Sequence, residues 1–175
     1  MPNAITAFVR YVNVMNRHVG TIAMYLIFVM MGILLYSSIS KTFFTPSIWT
    51  LEMAQFVMVA YYLLGGGYSM QLDAHVRMDL FYGSWSPKTR MLMDCFTVLL
   101  LIFYLFMLLY GGISSTEYAL KYGEQSYSAW APQMAPIKII MCIGIFLMLL
   151  QAIAAFFHDL GRLRGVDILT GEDIG

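Results

Sequence analysis

Few side chains in this sequence could carry chemistry. His18, His75 and His158 could ligate a haem or a metal, and Cys95 and Cys142 could cycle as a disulfide. Glu52 could bind a proton or a cation inside a membrane, and Asp73, His75, Arg77 and Asp79 crowd into one short stretch. Each chemistry demands a geometry. A b-type haem needs paired histidines on facing helices within the bilayer, whereas all three histidines fall at the same end of the apolar runs. A dithiol oxidoreductase needs reactive, exposed cysteine pairs. Cys95 and Cys142 sit near opposite ends of two antiparallel runs, about 15 Å apart by helical rise, too far to bridge. They form no C-x-x-C pair and read as small core residues. The Asp73–Asp79 cluster reads as a solvated loop rather than a metal site.

Glu52 invites comparison with small multidrug exporters, which place one carboxylate in a four-helix protomer. It lies only about 9 Å along its helix, near the outer interface and away from the midplane where transporter sites lie. No internal repeat and no matched pair of broken helices accompanies it. Lys138 falls at similar depth on the last run. A Glu52–Lys138 pair, or Glu52 against a partner chain, is therefore the expectation. No catalytic residue, cofactor or metal ligand is expected, and the chain is not read as an enzyme.

The elements that position these residues are membrane helices. The 175 residues are 60% hydrophobic and 11% charged, against about a quarter charged in soluble domains. Mean hydropathy is +0.72. Apolar runs reach helix length rather than the ~10 residues of a barrel strand, which implies an all-α integral membrane protein. Net charge is zero with no basic block, so nucleic acid is not an expected partner. No small-residue cleavage site follows the first run, so the start is not expected to be a cleaved signal peptide.

Four spans are predicted, at about 18–40, 46–71, 87–112 and 136–157, within one domain over 1–160. A polar tail covers 161–175. Ile5, Phe8, Val9, Val12 and Met15 recur at helical spacing over 4–17, opposite Thr6, Arg10, Asn13 and Arg17. That pattern suits an interfacial amphipathic helix; the alternative is an extension of the first span. Thr21, Tyr25, Gly32 and Tyr36 share the expected packing side of that span. Thr45-Pro46 and Ser86-Pro87 read as N-caps followed by proline at the first helical position. In the third span Asp94, Thr97, Tyr104 and Gly111 share a side. Helical character persists past Gly112, with Gly123 the expected stop. Phe43, Phe44, Trp49 and Trp130 mark an aromatic belt.

The second span is the unusual one. Glu52, Gln55, Tyr62, Gly66, Ser69 and Asp73 fall at steps of three and four, with Val59 filling the gap between Gln55 and Tyr62, and so lie on one stripe. Lipid is a poor neighbour for that stripe, so it is expected to face protein. Gly65, Gly66 and Gly67 either permit close helix approach or soften the helix end. The charged island then runs to Lys88 and Arg90. It is either a specific anchor, with Asp73–Arg77 and His75–Asp79 spaced to pair along a helix, or a solvated loop. Seven Lys and Arg (Arg10, Arg17, Arg77, Lys88, Arg90, Arg162, Arg164) face three (Lys41, Lys121, Lys138) across the bilayer. The positive-inside rule then places both termini and the island in the cytoplasm, an N-in/C-in topology.

From about Trp49 to Pro136 the chain resembles the small membrane subunit of a TRAP (tripartite ATP-independent periplasmic) transporter, the Q or DctQ type. The resemblance rests on Trp49-Thr50-Leu51-Glu52, Leu64-Gly65-Gly66-Gly67, His75-Val76-Arg77-Met78-Asp79, the Ser86, Pro87 and Arg90 entry, and Pro132 with Pro136. Lys138 departs from the pattern, which often has a small residue there. The resemblance implies a bacterial inner-membrane protein that partners a large solute-translocating subunit. It implies sodium-driven symport of an organic acid, commonly a carboxylate, delivered by a transiently bound periplasmic solute-binding protein. The role read for this chain is a non-catalytic scaffold in the lipid bilayer. The alternative is an autonomous four-helix carrier or channel that forms homo-oligomers.

Overall fold

The computed structural model describes residues 3–72 and 87–163, and these are helical apart from two connectors. The helices are α1 (Asn3–Phe43), α2 (Thr50–Gln71), α3 (Pro87–Tyr122) and α4 (Ala135–Leu163). By length and composition α1, α3 and α4 are apolar enough to cross a membrane. α2, which carries Glu52, Gln55 and the three glycines, falls short of that criterion.

α1 is one unbroken helix of 41 residues, about 60 Å long by its rise and roughly twice the hydrocarbon thickness. The segment 4–17 is therefore continuous with the first apolar run. Its apolar side is covered by protein: Val9 and Val12 are fully buried against Ala154, with Ile5, Phe8, Leu150 and Phe157 packed around them. Arg10 and Arg17 are exposed.

α2 begins at Thr50, later than the Thr45-Pro46 start predicted from sequence. The reason lies in hydrogen bonds that tie the connector to α1. Ser40 Oγ donates to the Thr45 carbonyl at 2.9 Å. Thr50 is fully buried, and its hydroxyl donates to Ser37 Oγ at 3.0 Å while lying 3.0 Å from Ser47 Oγ. These bonds hold residues 44–49 out of helical register. At the other sequence signals the structure agrees. Pro87 opens α3, and Gly123, in the left-handed region at φ 61°, ends it.

The helices do not form a closed four-membered ring. α1 lies along α2, α2 lies along α4, and the N-terminal part of α1 crosses the last turns of α4. α3 packs chiefly on α4, where Leu105 meets Ile145 and Leu149. α1, α2 and α4 thus form a triangle, and α3 is appended to one corner.

Candidate functional site

The triangle is held by side-chain amides. Asn16 of α1, fully buried, donates through Nδ2 to Gln151 Oε1 at 2.8 Å and lies 3.5 Å from the Leu147 carbonyl. Gln151 Nε2 donates to Asn13 Oδ1 at 3.0 Å, and Gln71 Nε2 of α2 donates to the Asn13 carbonyl at 3.3 Å. Three helices are stapled at one level. The approach this requires is set by Gly67: a Cβ there would stand 2.7 Å from Asn16 Oδ1. Gly144 of α4 is equally tight, since its Cβ would meet the Leu63 backbone at 2.9 Å. The glycines of α2 are therefore a packing device, with Gly66 against Met148 and Gly67 against Asn16.

This junction is absent from the reading of the sequence, which placed Asn13 on a polar surface and singled out neither Asn16 nor Gln71. One signal was present. Gln151 is the sole hydrogen-bonding amide in the apolar run 139–157, and such a residue in an apolar helix needs a partner. Asn16 Oδ1, Gln71 Oε1 and Glu52 Oε2 are enclosed without a hydrogen-bond partner within the described chain.

The stripe expected on α2 does not stay together. Gln55 and Tyr62 are exposed and look away from α1 and α4, beside exposed Leu51 and Met58. Gly66 and Ser69 are half-buried toward the other helices, as is Glu52. Thus only part of the stripe faces this chain's own protein. The packing sides expected on α1 and α3 are also turned outward. Thr21, Tyr25, Gly32 and Tyr36 are exposed, and so are Thr97, Tyr104 and Gly111; Gly32 and Gly111 meet no atom within 4 Å. α1 packs instead through Asn16, Gly20, Ala23, Ser37 and Ser40.

Lys138 does not pair with Glu52. Its ammonium forms an ion pair with Glu124, because the chain reversal after Gly123 brings Glu124 over the first turn of α4. Neither cysteine is in a disulfide. Cys142 Sγ lies 3.3 Å from Thr116 Oγ1, and both cysteines are half-buried. His18 lies exposed with Nδ1 2.9 Å from the Val14 carbonyl. A shallow depression on α3, lined by Met93, Cys95, Phe96 and Leu99, offers only apolar surface. Asp73, His75, Arg77 and Asp79 lie outside the described residues, as do the side chains of Arg90 and Asp94.

This arrangement contains helix-packing devices and outward polar residues. A family model described as tripartite ATP-independent periplasmic transporters, DctQ component, matches residues 30–162. The chain belongs to this family. It is a small membrane subunit of the TRAP transporter type, a transport component rather than a member of an enzyme family. The match takes in α2, α3, nearly all of α4 and the second part of α1. It leaves out Asn13 and Asn16, so the amide junction joins the N-terminal turns of α1 to the DctQ core. A search of curated proteins finds no match.

Proposed function

We propose that this TRAP small subunit is a non-catalytic scaffold that stands beside the large, solute-translocating subunit. The complex takes up a carboxylate-type organic acid by sodium symport after delivery by a periplasmic binding protein. The observation that carries this reading is the outward polarity of α2. Gln55 presents an exposed amide with no hydrogen-bond partner among the described residues, and Tyr62 lies two turns further along the same side. Polar groups on a membrane helix are normally turned to protein, so a second polypeptide is the fitting neighbour. The buried amides, by contrast, are engaged in joining helices, which leaves them for structure rather than for a solute.

In this reading all four helices cross the bacterial inner membrane with both termini in the cytoplasm, as the Lys and Arg asymmetry supports. Residues 4–17 then lie at the cytoplasmic boundary. Their apolar side rests on α4, and Arg10 and Arg17 reach the headgroups. The connectors 44–49 and 123–134 face the periplasm.

The test is reconstitution in proteoliposomes under a sodium gradient, with a panel of labelled carboxylates preselected by thermal shift of the binding protein. Uptake is expected only when the large subunit and the binding protein are both supplied. Saturable uptake by this chain alone would replace the scaffold with an autonomous carrier.

A further inference from the structure

The first 51 residues contain no Asp or Glu, and the N-terminal turns of α1 point their cations one way. Arg10, Tyr11, Val14, Arg17 and His18 recur at steps of three and four and are all exposed. Val9, Val12, Asn16 and Gly20, on the other side of the same turns, are buried. The long apolar run of α1 begins directly after His18, so the cations stand where headgroups meet hydrocarbon. Further along the helix Ile22, Tyr25 and Phe28 are exposed and apolar. A charged end followed by apolar surface on one helix matches a phospholipid lying along it.

Arg10 and Arg17 are seven residues apart, two turns and ~10 Å along the axis, and such positions point within about 20° of the same direction. Among the described residues neither pairs with a carboxylate. The helix that carries them is fixed from behind. Asn13 accepts from Gln151 and Gln71, Asn16 donates to Gln151, and Val9 and Val12 pack on Ala154. Groups held in place in advance lose less freedom on binding. A guanidinium takes a phosphate through two parallel N–H bonds. A lipid with one phosphate engages one of these arginines, whereas a headgroup that joins two phosphates through a glycerol engages both.

We propose that this side of α1 binds an anionic lipid with two phosphates, of the cardiolipin class. Arg10 and Arg17 each take one phosphate, Tyr11 adds a phenolic donor beside Arg10, and the acyl chains follow Ile22, Tyr25 and Phe28. The site goes beyond the scaffold reading and does not depend on which side of the membrane α1 starts. Charge complementarity favours this occupant, since basic sites at the ends of membrane helices attract such headgroups.

The full chain, purified in detergent, is titrated with cardiolipin and, at equal phosphate, with phosphatidylglycerol, and native mass spectrometry reads the bound lipid. Cardiolipin is expected to bind about fivefold more tightly, the value of engaging the second arginine. Arg10→Gln and Arg17→Gln are each expected to weaken cardiolipin binding about fivefold. Lys41→Gln, an exposed cation at the far end of the same helix, is expected to leave it unchanged. Because both arginines are exposed, SDS titration of the lipid-free chain should be the same for each variant. Equal affinity for the two lipids at equal phosphate would overturn the proposal in favour of diffuse surface charge, and that comparison needs no variant. Full cardiolipin affinity after both arginines are replaced would remove the site from α1. Loss of co-purification with the large subunit in that double variant, with no cardiolipin present, would assign the arginines to a protein contact and overturn the lipid site.

Discussion

α1, α2 and α4 on one side, and α3 on the other, are held by different means. In the triangle, Asn13, Asn16, Gln71 and Gln151 hydrogen-bond across three helices, and Gly67 and Gly144 let the backbones close in. α3 meets α4 through Leu105 against Ile145 and Leu149, plus the Thr116–Cys142 contact. Much of the rest of α3 is exposed, including Phe96, Phe103, Tyr104, Phe106 and Tyr110. Lipid tails are as apolar as leucine, so packing of apolar side chains alone gives little preference for a neighbouring helix over lipid. The triangle therefore specifies its own geometry, whereas α3 is positioned by one neighbour and leaves most of its surface for lipid or another subunit.

The sharpest way to break this contrast is to compare two glycines. Gly144→Ala places a methyl group against the Leu63 backbone, which cannot rotate aside. Overpacking of this kind costs about 1–3 kcal/mol, and SDS titration of the purified chain in mixed micelles should show the loss. Gly111→Ala on α3 meets open space and should leave that titration unchanged. Equal effects at the two positions would erase the distinction.

A smaller effect is expected at the amide junction. Gln151→Leu removes the partner of both Asn16 and Asn13. Interhelical hydrogen bonds in membranes are worth about 0.6 kcal/mol on average and up to about 1.7, so a loss of about 1 kcal/mol is expected in the same titration. Combining it with Asn16→Leu should cost less than the two single losses added, because the second change removes the group that the first left unpaired. Strict additivity would mean that the two amides do not act together.

The smallest effect belongs to the outward side of α2. Gln55→Leu should leave the isolated chain unaltered, since Gln55 is exposed there. It should weaken co-purification with the large subunit by about the value of one interhelical hydrogen bond, ~0.6 kcal/mol. A loss of stability in the isolated chain would show that Gln55 serves the chain's own helices after all.

The sequence by itself determined the class, the long apolar helices, the proline start of α3 and the glycine end of α3. These are local properties, fixed by composition, by the ring of Pro87 and by the backbone freedom of Gly123. The specific motifs also carried the family. The inside of each helix was not legible. In water, apolar residues mark the core, but in lipid both the core and the surface are apolar, and small or polar residues show only that a helix touches something. Gly20 and Gly32 lie on the same helix and look alike in the sequence, yet Gly20 packs against Tyr68 and Gly32 meets nothing. The start of α2 was misread for a related reason. The hydroxyls of Ser37, Ser40, Ser47 and Thr50 satisfy one another across a fold contact, and that contact outweighs the local preference for a helix beginning at Pro46. The partner of Lys138 depended in the same way on where a chain reversal carried Glu124. Only the tertiary structure decided these matters, because each turns on which groups meet across helices, and local sequence preference does not encode that.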